Sequence, residues 1–259
     1  MRKKLSVILS TALLFLSIVI SGIATVYRVD GVSVSASLVT EEAKIEAEVL
    51  KTRLENAYKK ENIFSVEEKV AEEIIKEFPY FHMTGFRKEF PNKIVIEIAE
   101  DIEIYAAESN GGYYLLGEDG TVLDFRGDYT SRLSGENTIL FKGMTINGVN
   151  GEVPTGDDCF PTVMEVCGKI SALLGGIRGN VTSVEVFSRS PETIFVLTMR
   201  EGVRIYIGNA KELTLEKTER AIREYTSLAN AQKLAGRLII SDAGGVIYSN
   251  YAAKDDFIK

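Results

Sequence analysis

The sequence has no tryptophan, one histidine and two cysteines among its 259 residues. With His82 as the sole histidine, no nucleophile and base set built on several histidines can be assembled, and we expect His82 to be structural. Cys159 and Cys167 are eight residues apart in a predicted helix, about 12 Å by helical rise. That distance exceeds the roughly 7 Å limit between the Cα atoms of a disulfide. We therefore expect two small apolar residues, and neither a metal site nor a cofactor site.

Basic residues are also scarce relative to acidic ones, and the net charge is −7. Removing the three cations Arg2, Lys3 and Lys4 leaves about −10 on the rest of the chain. A nucleic-acid partner would favour a basic face, so we expect no nucleic-acid binding. The same charge argues against tight electrostatic docking on anionic lipid.

One long uncharged run is present at residues 5–26, from Leu5 to Val26. A helix of 22 residues spans about 33 Å, which fits a hydrocarbon core of about 30 Å. The cations of residues 1–4 predict a cytoplasmic tip and a single-pass type II orientation, with the bulk of the chain outside the cytoplasm. The alternative is a cleaved signal peptide, although the apolar run is longer than the usual 7–15 residues. With either an anchor or a cleaved signal peptide, the rest of the chain is exported from the cytoplasm.

The next 75 residues predict the order β-α-α-β-β. Apolar residues alternate at 29–35, and a helix over 40–58 begins at the N-cap Thr40 and has Ile45, Val49 and Leu54 near one face. A capping box at Ser65 opens a second helix, which Pro79 ends. That helix carries Val66, Val70, Ile74 and Phe78 at roughly every fourth position. Two strands follow, at 81–90 and 94–98, separated by a Pro-Asn turn.

A second α+β unit with mainly antiparallel connections begins near residue 101. Strands are predicted at 104–107, 113–116, 122–125, 138–141, 181–187, 193–199, 203–207, 238–241 and 246–248, and helices at 160–174 and 214–230. Asp157 or Asp158 is the expected cap of the first helix. Residues 250–259 are predicted to be a flexible tail.

No pattern selects catalytic residues. The 37 acidic residues leave carboxylate-only catalysis formally open, but nothing singles out a pair. The glycine-rich stretch 175–179 follows a helix and lacks a Walker lysine, so a helix C-cap is the better interpretation. Asp242, before three small residues, predicts a turn. Asn180 begins a glycosylation sequon to which we assign no function.

Several motifs resemble the FtsQ/DivIB family of bitopic bacterial cell-division proteins. Asn-Ile-Phe-Ser-Val at 62–66, Phe-Pro-Tyr at 78–80, Arg-Lys-Glu-Phe-Pro-Asn at 87–92 and the alternating isoleucines at 94–98 are close to the POTRA domain of that family. Residues 114–123 resemble the start of its β domain, and 202–208 and the last two strands also fit. The resemblance implies a POTRA domain over 27–100 and a β domain over 101–249.

The resemblance also implies a function without chemistry of its own. Members of the family are not enzymes; they bind two small bitopic proteins, FtsL and FtsB (or DivIC), and help recruit and regulate the septal peptidoglycan synthase. The partner adds a strand to the C-terminal strands, which here puts the expected partner-binding residues at Val246, Ile247, Tyr248 and Tyr251. Ile247 and Tyr248 could instead simply fill the core.

Some features depart from the family pattern. The family's Glu-Arg-x-Pro-x-Ala stretch reads Glu-Asp-Ile-Glu-Ile-Tyr at 100–105, without the arginine or the proline. The helical segment before the POTRA motifs is longer than expected, and 143–156 lacks a clear Leu-Pro loop. An anchored enzyme using paired carboxylates on cell-wall material remains an alternative. So does a POTRA-bearing assembly factor, although such proteins usually need tandem POTRA units or a barrel.

Overall fold

The computed structural model describes residues 2–109, 111–133, 137–189, 192–208, 213–241 and 245–250. The chain forms two compact units, Met1–Asp101 and Ile102–Lys259, here called the N-terminal unit and the C-terminal unit. Both contain helices and a sheet with parallel and antiparallel pairs. The α+β class predicted from the sequence is confirmed.

The first element is the helix α1, Arg2–Val26, which contains the whole of the predicted anchor. Within the part of the chain that the structure describes, no helix combines the length and apolar character required of a membrane span.

The N-terminal unit continues in the predicted order β-α-α-β-β. Its three strands form a sheet in the order β1-β3-β2, in which β1 is parallel and β2 antiparallel to the central β3. Apolar residues alternate along β3, and those facing the helices build the core. The elements are β1 Gly31–Ser37, α2 Glu41–Tyr58, α3 Glu68–Ile75, β2 Phe81–Glu89 and β3 Lys93–Glu100.

Helix α2 begins where the sequence predicts but buries a different face. Thr40 is the N-cap, and its hydroxyl accepts a hydrogen bond from the backbone N–H of Ala43. Of the predicted face, Leu54 is buried, whereas Ile45 is 71% exposed and Val49 is also exposed. The buried stripe instead has small residues at its N-terminal end, which let the helix approach the sheet closely; it consists of Ala43, Ala47, Leu50, Leu54 and Tyr58.

The predicted capping box at Ser65 is wrong. The Ser65 hydroxyl donates to the carbonyl of Asn62, 2.9 Å away, and so closes a turn before the helix. Helix α3 begins at Glu68, with no side-chain hydrogen bond at its cap. Its buried residues are Ala71 and Ile75, one position beyond the predicted Val70 and Ile74, and it ends before Pro79.

The C-terminal unit contains one sheet of nine strands in the order β12-β11-β10-β9-β8-β7-β4-β5-β6. The pairs β4–β7, β7–β8 and β10–β11 are parallel and the other five are antiparallel, so the expected mainly antiparallel sheet is mixed. The strands are β4 Tyr105–Ser109, β5 Gly112–Leu116, β6 Val122–Arg126, β7 Ile139–Lys142, β8 Val181–Arg189, β9 Glu192–Met199, β10 Arg204–Ile207, β11 Arg237–Ile240 and β12 Val246–Ser249. The helices are α4 Phe160–Leu174, α5 Thr214–Ser227 and α6 Asn230–Lys233.

Helices α4 and α5 supply the buried residues that complete the core of this unit. One face of the sheet contributes alternate residues such as Val184, Leu197 and Ile205 to the same core. Helix α4 has the predicted bounds and ends at Gly175, whose φ of 71° is the left-handed conformation of a helix C-cap. The expected cap at Asp157 or Asp158 is wrong: the N-cap is Cys159, which forms no side-chain capping bond, and Asp157 only accepts from the backbone N–H of Cys159, at 2.8 Å. The single predicted helix over 214–230 is divided into α5 and α6.

Candidate partner-binding edge

Strand β12 lies at one end of the nine-stranded sheet. It pairs antiparallel with β11, with Ile247 opposite Ile239 and Tyr248 opposite Leu238. The connection is closed by backbone and side-chain bonds between Ser241 and Gly245, at 2.9 and 3.0 Å. The predicted turn at Asp242 lies outside the described residues. Beyond β12 the described residues place no further strand, so one backbone edge of β12 lies at the border of the sheet.

The side chains of β12 alternate between the core and the outer face. Val246 and Tyr248 are partly buried and pack against the hydrophobic core. The Tyr248 hydroxyl donates toward the backbone carbonyls of Gln232 and Ala235, at 3.1 and 3.0 Å. Ile247 points the other way and is 59% exposed. Of the expected partner-binding residues, Ile247 is therefore exposed, Val246 and Tyr248 hold the strand in place, and Tyr251 lies outside the described residues.

The two ends of the sheet differ in how their edges are covered. At the β6 end, the N–H of Val122 donates to the carbonyl of Glu152 at 2.9 Å, and the N–H of Gly151 donates to the carbonyl of Val122 at 2.7 Å. A loop thus covers that border by hydrogen bonds. At the β12 end, the described residues place no further strand beside the border.

Strand β12 also lacks the charged residues and prolines that usually protect an edge strand from pairing with another chain. Ile247 and its cross-strand neighbour Ile239, which is half-buried, lie on the same outer face. Neighbouring apolar side chains on adjacent strands interact and form a continuous contact surface. The border therefore offers backbone groups and an apolar side-chain pair to an extended segment.

Leu234 is an exposed residue of the loop that the Tyr248 hydroxyl contacts. It directly precedes Ala235, whose carbonyl accepts from Tyr248. The sequence pattern places this residue in a loop after the predicted helix, where a single leucine carries no signal. The Tyr248 hydroxyl bond and the close approach of Gly236 to the carbonyl oxygen of Ser249 show that this loop reaches β12.

Two open cavities lined by described residues do not favour paired-carboxylate chemistry. A groove of about 600 Å³ on the C-terminal unit has one carboxylate in its lining, Glu185, which forms an ion pair with Arg204 at 3.4 Å. A cavity of about 340 Å³ on the N-terminal unit has two, Asp30 and Glu55, and both side chains are exposed. Neither of these two cavities therefore encloses a pair of buried carboxylates.

Two carboxyl groups have lowered pKa values, whereas a catalytic acid needs a raised one. Hydrogen bonds from Thr130 lower the pKa of Asp128, and a hydrogen bond from Lys169 lowers the pKa of Glu219. A general acid of a glycosidase type needs a raised pKa. These two groups are therefore poor candidates for that role.

The histidine is exposed, whereas both cysteines are buried. The Nδ1 atom of His82 lies 2.9 Å from the carboxylate of Asp101. Cys159 and Cys167 form no disulfide and are buried, as expected, and burial raises the pKa of Cys167 to about 12. A thiol with that pKa is not a nucleophile near neutral pH. Among the described residues, no group of three or more His, Cys, Asp or Glu side chains could hold a metal ion.

No protein-family model matches this chain. Over 112 residues the chain is 26% identical to the cell division protein DivIB of Clostridium acetobutylicum. The matched part covers 43% of this chain and 43% of the relative. The resemblance to the FtsQ/DivIB family is thereby confirmed as a distant similarity.

Proposed function

We propose that the chain is a non-enzymatic scaffold protein of the bacterial division machinery. The similarity to a DivIB protein supports a role in cell division. Under this proposal the chain binds FtsL-type and FtsB/DivIC-type bitopic proteins, and through them helps recruit or regulate septal peptidoglycan synthesis. Residues 27–100 are the POTRA domain and residues 101–249 are the β domain of the family.

The observation that carries the proposal is the uncharged β12 border with its exposed Ile247. An extended partner segment would add a strand there, with affinity from backbone hydrogen bonds and specificity from alternate side chains. Val246 and Tyr248 keep the border in register, and Ile247 contacts the partner. Tyr251 belongs to the proposed contact as well.

The proposed location is the cytoplasmic membrane at the division septum. Helix α1 would be the anchor, because residues 5–26 within it carry no charge and three cations precede them. The chain after α1 would then lie outside the cytoplasm, where the partner proteins present their own external segments.

Substitution of Ile247 by lysine tests the edge. Ile247→Lys places a charge on the border without removing a buried group, so the variant should still fold. Its affinity for the purified FtsL/DivIC-type pair should fall at least about tenfold, which corresponds to about 1.4 kcal/mol. Ile45→Lys is the matched control, since Ile45 is an exposed isoleucine of the N-terminal unit. Equal affinity of the Ile247→Lys and native chains would refute the site.

The cellular role has its own test. A fluorescent fusion of the full chain should concentrate at the septum of dividing cells of the source organism. A uniform signal around the membrane would count against a division role, whatever the result for Ile247.

A further inference from the structure

Three aromatic rings converge at the C-terminal end of α1. Tyr27 directly follows the helix, and its ring centroid lies 4.9 Å from that of Phe64. The ring of Phe64 lies 5.4 Å from that of Phe90. We call these three residues the aromatic cluster. They come from three separate loops that the fold brings to one end of the N-terminal unit.

Backbone hydrogen bonds hold these loops together. The N–H of Ile63 donates to the carbonyl of Tyr27 at 2.8 Å, and the N–H of Asp30 donates to that of Asn92 at 3.0 Å. The residues that follow α1 thus bind both the loop that carries Phe64 and the loop that carries Phe90. The position of the cluster relative to the end of α1 is therefore set by the main chain and does not depend on the rings alone.

The cluster is left open to solvent even though it is apolar. Phe64 is 63% exposed and Phe90 is 59% exposed. Two adjacent exposed phenylalanines form a contiguous apolar patch, and such patches mark candidate contact sites with a protein or a membrane. An aromatic stack contributes little to folding when most of its surface faces water, so burial against something else is the more economical explanation of the arrangement.

The position of the cluster identifies that partner as the lipid interface. Aromatic side chains favour the boundary between hydrocarbon and headgroups, and Tyr27 directly follows the last residue of α1. Arg28 and Lys60, joined by a hydrogen bond of 3.1 Å, flank the rings, but Glu61 lies in the same loop. We therefore assign the recognition to the apolar rings and not to charge, in keeping with the acidic chain.

We propose that Tyr27, Phe64 and Phe90 insert into the headgroup region of the bilayer that α1 crosses, and hold the N-terminal unit against the membrane surface. This inference rests on the proposed membrane anchor. The occupant of the cluster is the bilayer itself, and a protein partner at the same rings is an outcome that the experiment below would reveal.

The absence of tryptophan from the chain makes the contact measurable. Single Phe64→Trp and Phe90→Trp variants of the full chain would each contain one fluorescent indole. They are reconstituted in phosphatidylcholine vesicles whose acyl chains carry bromine near the headgroup. Insertion at the interface should quench each variant by about twofold relative to unbrominated vesicles.

Phe78→Trp is the matched control. Phe78 is half-buried and lies before β2, whereas Phe90 lies after it, so the nine residues of β2 separate them by roughly 30 Å. This variant should show no quenching. Equal quenching of the Phe64→Trp, Phe90→Trp and Phe78→Trp variants, or none in the first two, would overturn the proposal.

A fourth variant separates this proposal from the anchor on which it rests. Phe15→Trp places the indole within α1 and should be quenched by bromine deep in the acyl chains. Loss of that signal would overturn the anchor and the cluster contact together. Deep quenching of Phe15→Trp without shallow quenching of Phe64→Trp would overturn the contact alone and would point to a protein partner for the rings.

Discussion

Glu103 is a fully buried carboxylate in the C-terminal unit, and its removal should destabilise that unit strongly. One carboxylate oxygen lies 2.7 Å from the guanidinium of Arg126. The other accepts from the Ser131 hydroxyl at 2.9 Å and from the backbone N–H of Arg132 at 3.0 Å. The side chain thus ties the loop after β6 to the start of β4.

The contacts of Glu103 set the expected loss in the free energy of unfolding. Removing one partner of a buried ion pair costs about 3–5 kcal/mol, because the remaining charge is left in a poorly solvated place. Arg126 is partly exposed and also contacts Asp124 at 3.1 Å, so we expect Glu103→Ala to cost about 3 kcal/mol, at the lower end of that range. Glu103→Gln keeps an acceptor for Ser131 and should lose about half as much.

Hydrogen exchange measured by mass spectrometry can assign the loss to one unit, which a single unfolding midpoint cannot do for a chain of two units. In Glu103→Ala, peptides from the sheet of the C-terminal unit should exchange about 100-fold faster, and those from the N-terminal unit should be unchanged. Glu118→Ala, at an exposed position of the same unit, is the control. Protection in Glu103→Ala equal to that in the control would refute the argument.

Three further predictions concern the same unit. Tyr248→Phe removes the hydroxyl that lies within hydrogen-bond distance of two carbonyls, so it should lower the free energy of unfolding by about 1 kcal/mol in urea titrations. Ile247→Ala should change the same free energy by less than about 0.5 kcal/mol. Equal losses in the two variants would contradict the assigned orientations. Burial raises the pKa of Cys167 from 9.0 to about 12, so stability that is present below pH 9 should be lost as the pH rises to 12. The loss is at most about 4 kcal/mol, and Cys167→Ala should flatten the decline between pH 9 and 10; an unchanged slope would contradict it. Gly143 has a φ of 72°, and a Cβ there would overlap the carbonyl oxygen of Val186, so Gly143→Ala should cost about 2 kcal/mol or more, and an unchanged melting temperature would contradict this.

The strands and helices follow the sequence closely where the apolar period is clear. The isoleucines of β3 alternate over residues 94–98, and α4 ends where predicted because a glycine that adopts positive φ stops it. Helix α2 shows where the period misleads. Two arrangements of apolar residues fit the same 3.6-residue repeat, and the pattern favours bulky Ile45 and Val49 over alanines. The close approach of helix to sheet decides the matter, and it is a property of the folded unit.

The candidate edge can also be predicted from the sequence only in part. A hydrophobic final strand can be predicted from residues 246–248, but whether its border is open depends on the order of strands in the sheet. Parallel pairs such as β10–β11 join segments distant in sequence, and the order cannot be read from local patterns. The different orientations of Ile247 and Tyr248 follow from the pleat only once the core face of β11 is known.

The departure from the family pattern at residues 100–105 has a physical account in the two buried glutamates. Glu100 accepts from the backbone N–H groups of Val39 and Thr40, at 2.6 and 3.0 Å, and so binds the turn before α2. Glu103 binds the loop after β6 in the C-terminal unit and stands where the family pattern has proline. A proline has no side-chain acceptor, so it could not satisfy Ser131 and the backbone N–H of Arg132. The missing proline is therefore compatible with the resemblance, because at this position the chain uses a carboxylate to order a loop.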